Sequence, residues 1–355
     1  MLTASHNPRE YNGYKAYNQE GAQLLAPHDQ YVIDEVRKIR KVSDVKWERN
    51  NDLVISIGAE IDELFLKEIQ DLSIQKEAIK RQHDIGIVYT PLHGVGATMV
   101  PEILNRYGFT NVHPVPEQMI PDGNFPTVIF PNPEEEEAMT MALNLGKKIN
   151  ADLIMANDPD ADRVVTKLEN EKTFICGGEE SYGYLIGEHV RDKDAVVSGA
   201  ILAEMTAYFK DKGSSLFDAL LDIYLEHGLY KEKLLAVVKK GKSGAEEISA
   251  MMDGFRNSPP STLGGSAIVE VRDYKSGKAK KLSSNETYQL DTPSSNVLQF
   301  VTADGSIVSC RPSGTEPKIK FYCSVQAPLA NKADYYNVDA ELEKKLNAMI
   351  SDLAG

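Results

Sequence analysis

Cysteine is scarce: Cys176, Cys310 and Cys323 are the only three in a chain of 355 residues. The number is odd and no pair has C-x-x-C spacing, which argues against a disulfide framework and against a zinc site. Reduced, partly buried thiols are expected instead. Long apolar runs are missing as well. Nothing approaches the roughly 20 residues that span a bilayer, and no basic segment leads into an apolar stretch near Met1, so neither a membrane span nor a secretory signal is expected. Basic residues are outnumbered, 39 Lys and Arg against 53 Asp and Glu, for a net charge of −14. A phosphate backbone needs a basic surface, so nucleic acid is an unsuitable partner. Small anions remain possible wherever a few cations gather in one pocket. What is present, 42% apolar and 26% charged residues, is an ordinary globular mix that excludes disorder, collagen and coiled coil. The length suggests two or three domains with real cores.

Along the chain, residues 28–41 read as a helix with Val32, Val36 and Ile39 on one face. Asp52–Leu72 reads as another, with Ile61, Leu64, Phe65 and Ile69 at helical spacing. Residues 85–157 then alternate: strand Ile85–Tyr89, helix Thr98–Tyr107, strand Asn111–Val115, helix Glu134–Asn150, strand Asp152–Ala156. Two such crossovers imply a parallel sheet with helices outside it. Thr173–Cys176 reads as a strand and Ser181–Val190 as a helix, followed by helices near Ala203–Lys212, Ser215–His227 and Ala245–Asn257. Asn257–Gly265 has the composition of a linker. Strands at Ala267–Val271, Val297–Val301, Ile307–Cys310 and Ile319–Val325, with a last helix Tyr335–Leu353, make the C-terminal part α+β.

Four segments carry chemistry. In Asn157-Asp158-Pro159-Asp160-Ala161-Asp162-Arg163, three carboxylates at i, i+2 and i+4 follow a strand. Such neighbours repel unless a cation neutralises them. The all-oxygen donor set suits Mg²⁺ or Ca²⁺, although an EF-hand is excluded by Arg163 where that loop needs glycine. Arg163 beside the carboxylates points to a phosphate partner. Arg311-Pro312-Ser313-Gly314-Thr315-Glu316-Pro317 offers a guanidinium, two hydroxyls and a glycine turn as a phosphate cradle. Gly177-Gly178-Glu179-Glu180-Ser181 offers carboxylates and a hydroxyl to a sugar. Thr3-Ala4-Ser5-His6-Asn7-Pro8, with Lys15 further on, presents a serine able to act as nucleophile or phosphate carrier. Read alone, each has a plainer alternative: a solvated acidic turn, a hairpin turn, a capped helix start and a serine N-cap. Gly94-Val95-Gly96 fails as a dinucleotide loop, since Met99 stands at the third glycine position, and reads as a turn.

Taken together and in order, TASHNP, DPDADR, GGEES and RPSGTEP resemble the α-D-phosphohexomutases, the phosphoglucomutase/phosphomannomutase enzymes. PLHGVG, VPEQMIPDGNFPTV, GEESYGYLIG and KIKFYCSV extend the resemblance almost end to end, and the GEES form is more like phosphoglucomutases and phosphopentomutases than phosphomannomutases. The resemblance implies an α/β fold of mixed and parallel sheets with helices on both faces, plus a C-terminal α+β domain. It implies that Ser5 is the phosphoserine, completing Mg²⁺ coordination by Asp158, Asp160 and Asp162. His6 and Arg163 would contact the phosphoryl group, and Lys15 would move the proton. Glu179 and Ser181 would hold sugar hydroxyls, while Arg311, Ser313, Gly314 and Thr315 would hold the non-reacting phosphate.

The implied reaction interconverts hexose 1-phosphate and hexose 6-phosphate through a glucose 1,6-bisphosphate-type intermediate, with glucose phosphates first and mannose phosphates second. A phosphopentomutase and a non-catalytic sugar-phosphate-binding remnant are the rival readings. The implied setting is cytoplasmic, with phosphorylated sugars as partners and a monomer or weak homodimer. Family members carry a long segment before the serine loop, and much of a third domain where this chain has only residues 164–176. The expected layout is therefore residues 1–50 as a remnant of domain 1, 51–165 as domain 2, 166–235 as a partial domain 3 and 236–355 as domain 4. Segments omitted from the chain are the expected cause.

Overall fold

A computed structural model describes residues 1–161, 176–178, 183–239, 241–313 and 318–354. The chain divides into two compact units, Met1–Leu216 and Phe217–Gly355. The first carries α1 (His28–Lys38), α2 (Ala59–Asp71), α3 (Lys76–Arg81), β1 (Ile87–Thr90), α4 (Gly96–Tyr107) and β2 (Val112–Pro114). It continues through α5 (Glu136–Ile149), β3 (Leu153–Ala156), β4 (Cys176–Gly178), β5 (Tyr184–Ile186) and α6 (Ala195–Asp211). The expected α/β alternation is present: β1 lies between β2 and β3, parallel to both. Every residue of β1 is buried, as a central parallel strand covered on both faces requires. Successive side chains point to opposite faces. Ile87 and Tyr89 join the core with α2, α4 and α6, and Val88 joins Ala142 and Leu145 of α5 on the other side.

Helix α6 begins earlier than its periodicity suggests, because the Asp194 side chain accepts from Val196 N and Val197 N and caps it. Its buried Ala200, Ala203 and Ala207 are all small, which permits close packing in the α4 core. Three expectations need correction. Residues 183–190 hold no helix: Tyr184–Ile186 pairs antiparallel with Cys176–Gly178, and Gly187 at φ +75° ends the strand. Helix α1 forms, but no residue of it is buried, so Val32, Val36 and Ile39 do not make a core face. Helix α2 starts seven residues later than expected, and its buried residues are Leu66 and Ile69, while Ile61 and Leu64 are exposed.

The second unit carries α7 (Leu216–His227), β6 (Leu229–Val238), α8 (Gly241–Asn257), β7 (Thr262–Leu263), β8 (Ser266–Asp273) and β9 (Lys278–Lys281). It ends with β10 (Thr287–Gln289), β11 (Leu298–Thr302), β12 (Ile307–Pro312), β13 (Lys318–Ala327) and α9 (Tyr335–Ala354). An antiparallel sheet runs β10-β9-β8-β11-β12-β13-β6, with β7 beside β8. Alternate residues Ile319, Phe321, Cys323 and Val325 of β13 are buried, and they join Phe300, Met252, Leu346 and Met349 in one core. The expected α+β character holds. Asn257–Gly265 is no domain linker, since Thr262 and Leu263 pair with Ala267 and Ser266 inside this unit. Among the described residues, no helix is long and apolar enough to cross a membrane.

Candidate active site

The first unit gathers its chemistry where β1 and β3 end. Parallel neighbours bring their carboxyl-end loops side by side, the usual place for ligands in such sheets. Asn157 follows β3, with its backbone N–H on Thr90 O and its Oδ1 accepting from Tyr89 Oη at 2.9 Å. Asp158 and Asp160 come next, both largely buried, with side chains directed at the N-terminal loop.

That loop is folded by local pairing. Thr3 N donates to Gly13 O, Leu2 bridges Tyr14 and Lys15 N donates to Met1 O, which turns the chain back and pairs Lys15 with the start of the loop. Gly13 is needed there, since a Cβ would lie 2.6 Å from Thr3 O. Ser5 is left-handed at φ +52°, a conformation that non-glycine residues seldom adopt and that clusters at functional sites. Its N–H donates to Thr3 Oγ1 at 2.9 Å, which holds the turn.

Three contacts join loop to carboxylates. Ser5 Oγ donates to Asp158 Oδ2 at 2.8 Å and lies 3.2 Å from His6 Nδ1. Lys15 Nζ pairs with Asp160 Oδ2 at 3.0 Å, and Thr3 Oγ1 donates to the same oxygen at 3.1 Å. Burial alone would raise the Asp160 carboxyl pKa; hydrogen bonds with Asp158, Lys15 and Ser5, and the lysine charge, hold it below the usual carboxylate range. Asp160 Oδ1 is buried with no hydrogen-bond partner. Two carboxylates and a hydroxyl, with one buried oxygen left over, fit a hard divalent cation that takes oxygen ligands. Among the described residues no set of three His, Cys, Asp or Glu side chains gathers as a metal site. Asp162, the third carboxylate of the motif, lies outside the described residues, as do Arg163, Glu179, Ser181, Gly314 and Thr315.

In the second unit, Arg311 is exposed at the end of β12, opposite Lys320 of β13, and Ser313 N donates to Lys318 O at 2.8 Å. Like charges directly opposite on a sheet repel, so Arg311 and Lys320 form a cationic step suited to an anion. Sequence reasoning missed Lys320 and Thr3. The signal for Lys320 was its strand register with Arg311; Thr3 could have been found as the hydroxyl two residues before the serine. It also gave Gly94-Val95-Gly96 no role beyond a turn.

A parallel α/β unit that seats a serine hydroxyl on a carboxylate pair at its strand ends has the parts that phosphoryl transfer asks for, positioning and charge neutralisation. Three family models match: phosphoglucomutase/phosphomannomutase alpha/beta/alpha domain I over residues 1–43, domain II over 63–171 and domain III over 162–224. A phosphoglucomutase of Staphylococcus haemolyticus (strain JCSC1435) is 29% identical over 402 positions, covering 92% of this chain and 72% of the relative. That alignment is longer than the chain, so the relative carries internal segments that have no counterpart here. The solved structure of pp63/parafusin, a phosphoglucomutase from Paramecium, superposes with a TM-score of 0.57 at 15% identity, covering 97% of this chain and 76% of that one. A phosphoglucomutase/phosphomannomutase family protein from Burkholderia thailandensis gives 0.56 at 16%, covering 98% and 75%. The chain belongs to the phosphoglucomutase/phosphomannomutase family, and it is a phosphohexomutase-type phosphotransferase.

Proposed function

We propose that the protein interconverts hexose 1-phosphate and hexose 6-phosphate, glucose phosphates being preferred, with Ser5 as the phosphoryl carrier. The observation that carries this reading is the 2.8 Å hydrogen bond from Ser5 Oγ to Asp158 Oδ2 beside the Lys15–Asp160 pair. Phosphoryl transfer asks for positioning and charge neutralisation more than for covalent help. Asp158, Asp160 and Asp162 would hold Mg²⁺, which when bound offsets charge on the phosphoryl oxygens. Ser5, presented by its left-handed turn, exchanges the phosphoryl group with a sugar hydroxyl. Lys15 takes up and returns the hydroxyl proton, and His6 and Arg163 hold phosphoryl oxygens. Glu179 and Ser181 orient the sugar. Arg311, Ser313, Gly314 and Thr315, with Lys320 added, hold the phosphate that is not reacting. Because that cradle accepts either end of a hexose bisphosphate, one serine serves both half-reactions.

The setting that fits is the cytoplasm, as a monomer or weak homodimer acting on free sugar phosphates. The names of the staphylococcal relatives support glucose over mannose. The GEES residues, Gly178 to Ser181, keep a phosphopentomutase as the second reading. Purified protein assayed with Mg²⁺ on glucose, mannose and ribose 1-phosphates separates these. The highest kcat/KM is expected on glucose 1-phosphate. A higher value on ribose 1-phosphate supports the second reading, and binding without turnover on all three rejects a working mutase.

A further inference from the structure

The turn Pro91–Gly96 carries backbone strain that its own sequence does not require. Leu92 and His93 are consecutive non-glycine residues in the left-handed region, at φ +47° and +64°. Such strain persists only where the surroundings over-determine it, and here they do. Leu92 N donates to Thr90 Oγ1 at 3.1 Å, and His93 N donates to Gln118 O at 2.9 Å. The buried His93 ring meets Ile120 O through Nδ1 at 3.0 Å and Thr127 Oγ1 through Nε2 at 2.8 Å. Gln118 closes the network, with Thr90 Oγ1 donating to its Oε1 at 2.7 Å and its Nε2 donating to Thr127 Oγ1 at 3.0 Å.

This rigid turn faces the carboxylate loop. Val95 N donates to Pro159 O at 3.0 Å, between Asp158 and Asp160. A Cβ on Gly94 would overlap Pro159 Cα and lie 2.6 Å from its O and 2.8 Å from its carbonyl carbon. These are backbone atoms that cannot swing aside. A Cβ on Gly96 would overlap Tyr89 Oη, the group that holds Asn157, and lie 3.2 Å from Asn157 Oδ1.

We infer that Gly94 and Val95 are positioning residues that brace Pro159 and so set the separation and aim of the Asp158 and Asp160 carboxylates for a divalent cation. The inference rests on the reading of those carboxylates as metal ligands. Partners that orient metal ligands change affinity about 10–100-fold when altered. Gly94→Ala moves the Pro159 backbone. Val95→Pro replaces the N–H that points at Pro159 O with the ring Cδ, so it both removes the hydrogen bond and pushes the Pro159 carbonyl away, at an exposed residue whose own φ of −71° suits proline. Val95→Pro keeps the test open if Gly94→Ala does not fold.

The experiment titrates Mn²⁺ into the purified full chain, read by electron spin resonance of the free ion, with circular dichroism confirming folded protein. Wild type is expected to bind, Asp160→Asn to lose the site, and Gly94→Ala and Val95→Pro to bind at least about 10-fold more weakly. Gly254→Ala, at a position with nothing within 4 Å, is expected to bind as wild type does. If wild type binds and both brace variants bind within about twofold of it, the inference is overturned and the metal reading stands. If wild type itself does not bind, or if Asp160→Asn binds as well as wild type, the metal reading falls and the inference with it.

Discussion

Ser5 and Asp158 stand 153 positions apart, and Ser5 Oγ donates a 2.8 Å hydrogen bond to Asp158 Oδ2. Removing the hydroxyl removes the group that would carry the phosphoryl. Ser5→Ala is therefore expected to lose at least about 10³-fold in turnover, as loss of a covalent carrier should. The fold should persist, because the turn is also held by Thr3–Gly13 and Ser5 N–Thr3 Oγ1. Steady-state kinetics beside a thermal melt check this; wild-type turnover in Ser5→Ala contradicts the role.

Lys15 reaches Asp160 at 3.0 Å with most of its side chain shielded. Lys15→Met withdraws a positive charge and a proton donor together. A fall in kcat of about 10²–10⁴ is expected, the range for loss of a general acid–base group. Single-turnover transfer from phosphorylated protein to glucose 1-phosphate measures it directly. An unchanged rate would make Lys15 only a partner of Asp160.

The thiols divide sharply. Burial pushes Cys310 up well beyond the ordinary thiol range, with neighbouring Cys323 adding to it, and burial pushes Cys323 up to about 11. Cys176 is exposed. A thiolate reagent at pH 8 is expected to modify Cys176 alone in native protein and all three after denaturation. Peptide mass mapping reads the result. Rapid labelling of Cys310 in native protein would contradict the packing of β12 against α8.

Asp304 gives a pH dependence to the second unit. Burial would raise its carboxyl pKa, but Lys345 at 2.6 Å, Thr302 and Ser306 hold it well below the usual carboxylate range. A depressed folded value contributes stability that is present above the unfolded value near about 4 and is lost as pH falls through that region toward the folded value. The Asp304 side chain is 40% exposed, so solvent screening limits the gain to about 1 kcal/mol. Asp304→Asn is expected to lower the urea midpoint at pH 7 and to converge with wild type toward pH 2. An equal gap at both pH values contradicts this.

The parts most legible in the sequence were those whose chemistry is local. The β-α-β alternation over 85–157 and the Asp158–Asp160 spacing are patterns within a few residues. Tyr184–Ile186 was misread because its apolar run suits either a helix or a strand, and only Cys176–Gly178 supplies the pairing that decides. The α1 face was misread because periodicity reports a partner only if one is packed there. Edge strand β6 escaped notice because exposed Tyr230, Leu234 and Val238 alternate with Lys231 and Lys233, which turn to Glu343 of α9. The meeting of Ser5 with Asp158 is a product of the fold itself. The N-terminal loop must turn back through Gly13, and β3 must lie beside β1, before those atoms meet.

The most direct measurement incubates the purified protein with glucose 1,6-bisphosphate and Mg²⁺, then locates any bound phosphoryl group by peptide mass mapping. One phosphoryl group on the peptide containing Ser5, discharged by glucose 1-phosphate, is the predicted result. Phosphorylation at another residue, or none at all while mutase turnover proceeds, contradicts the account.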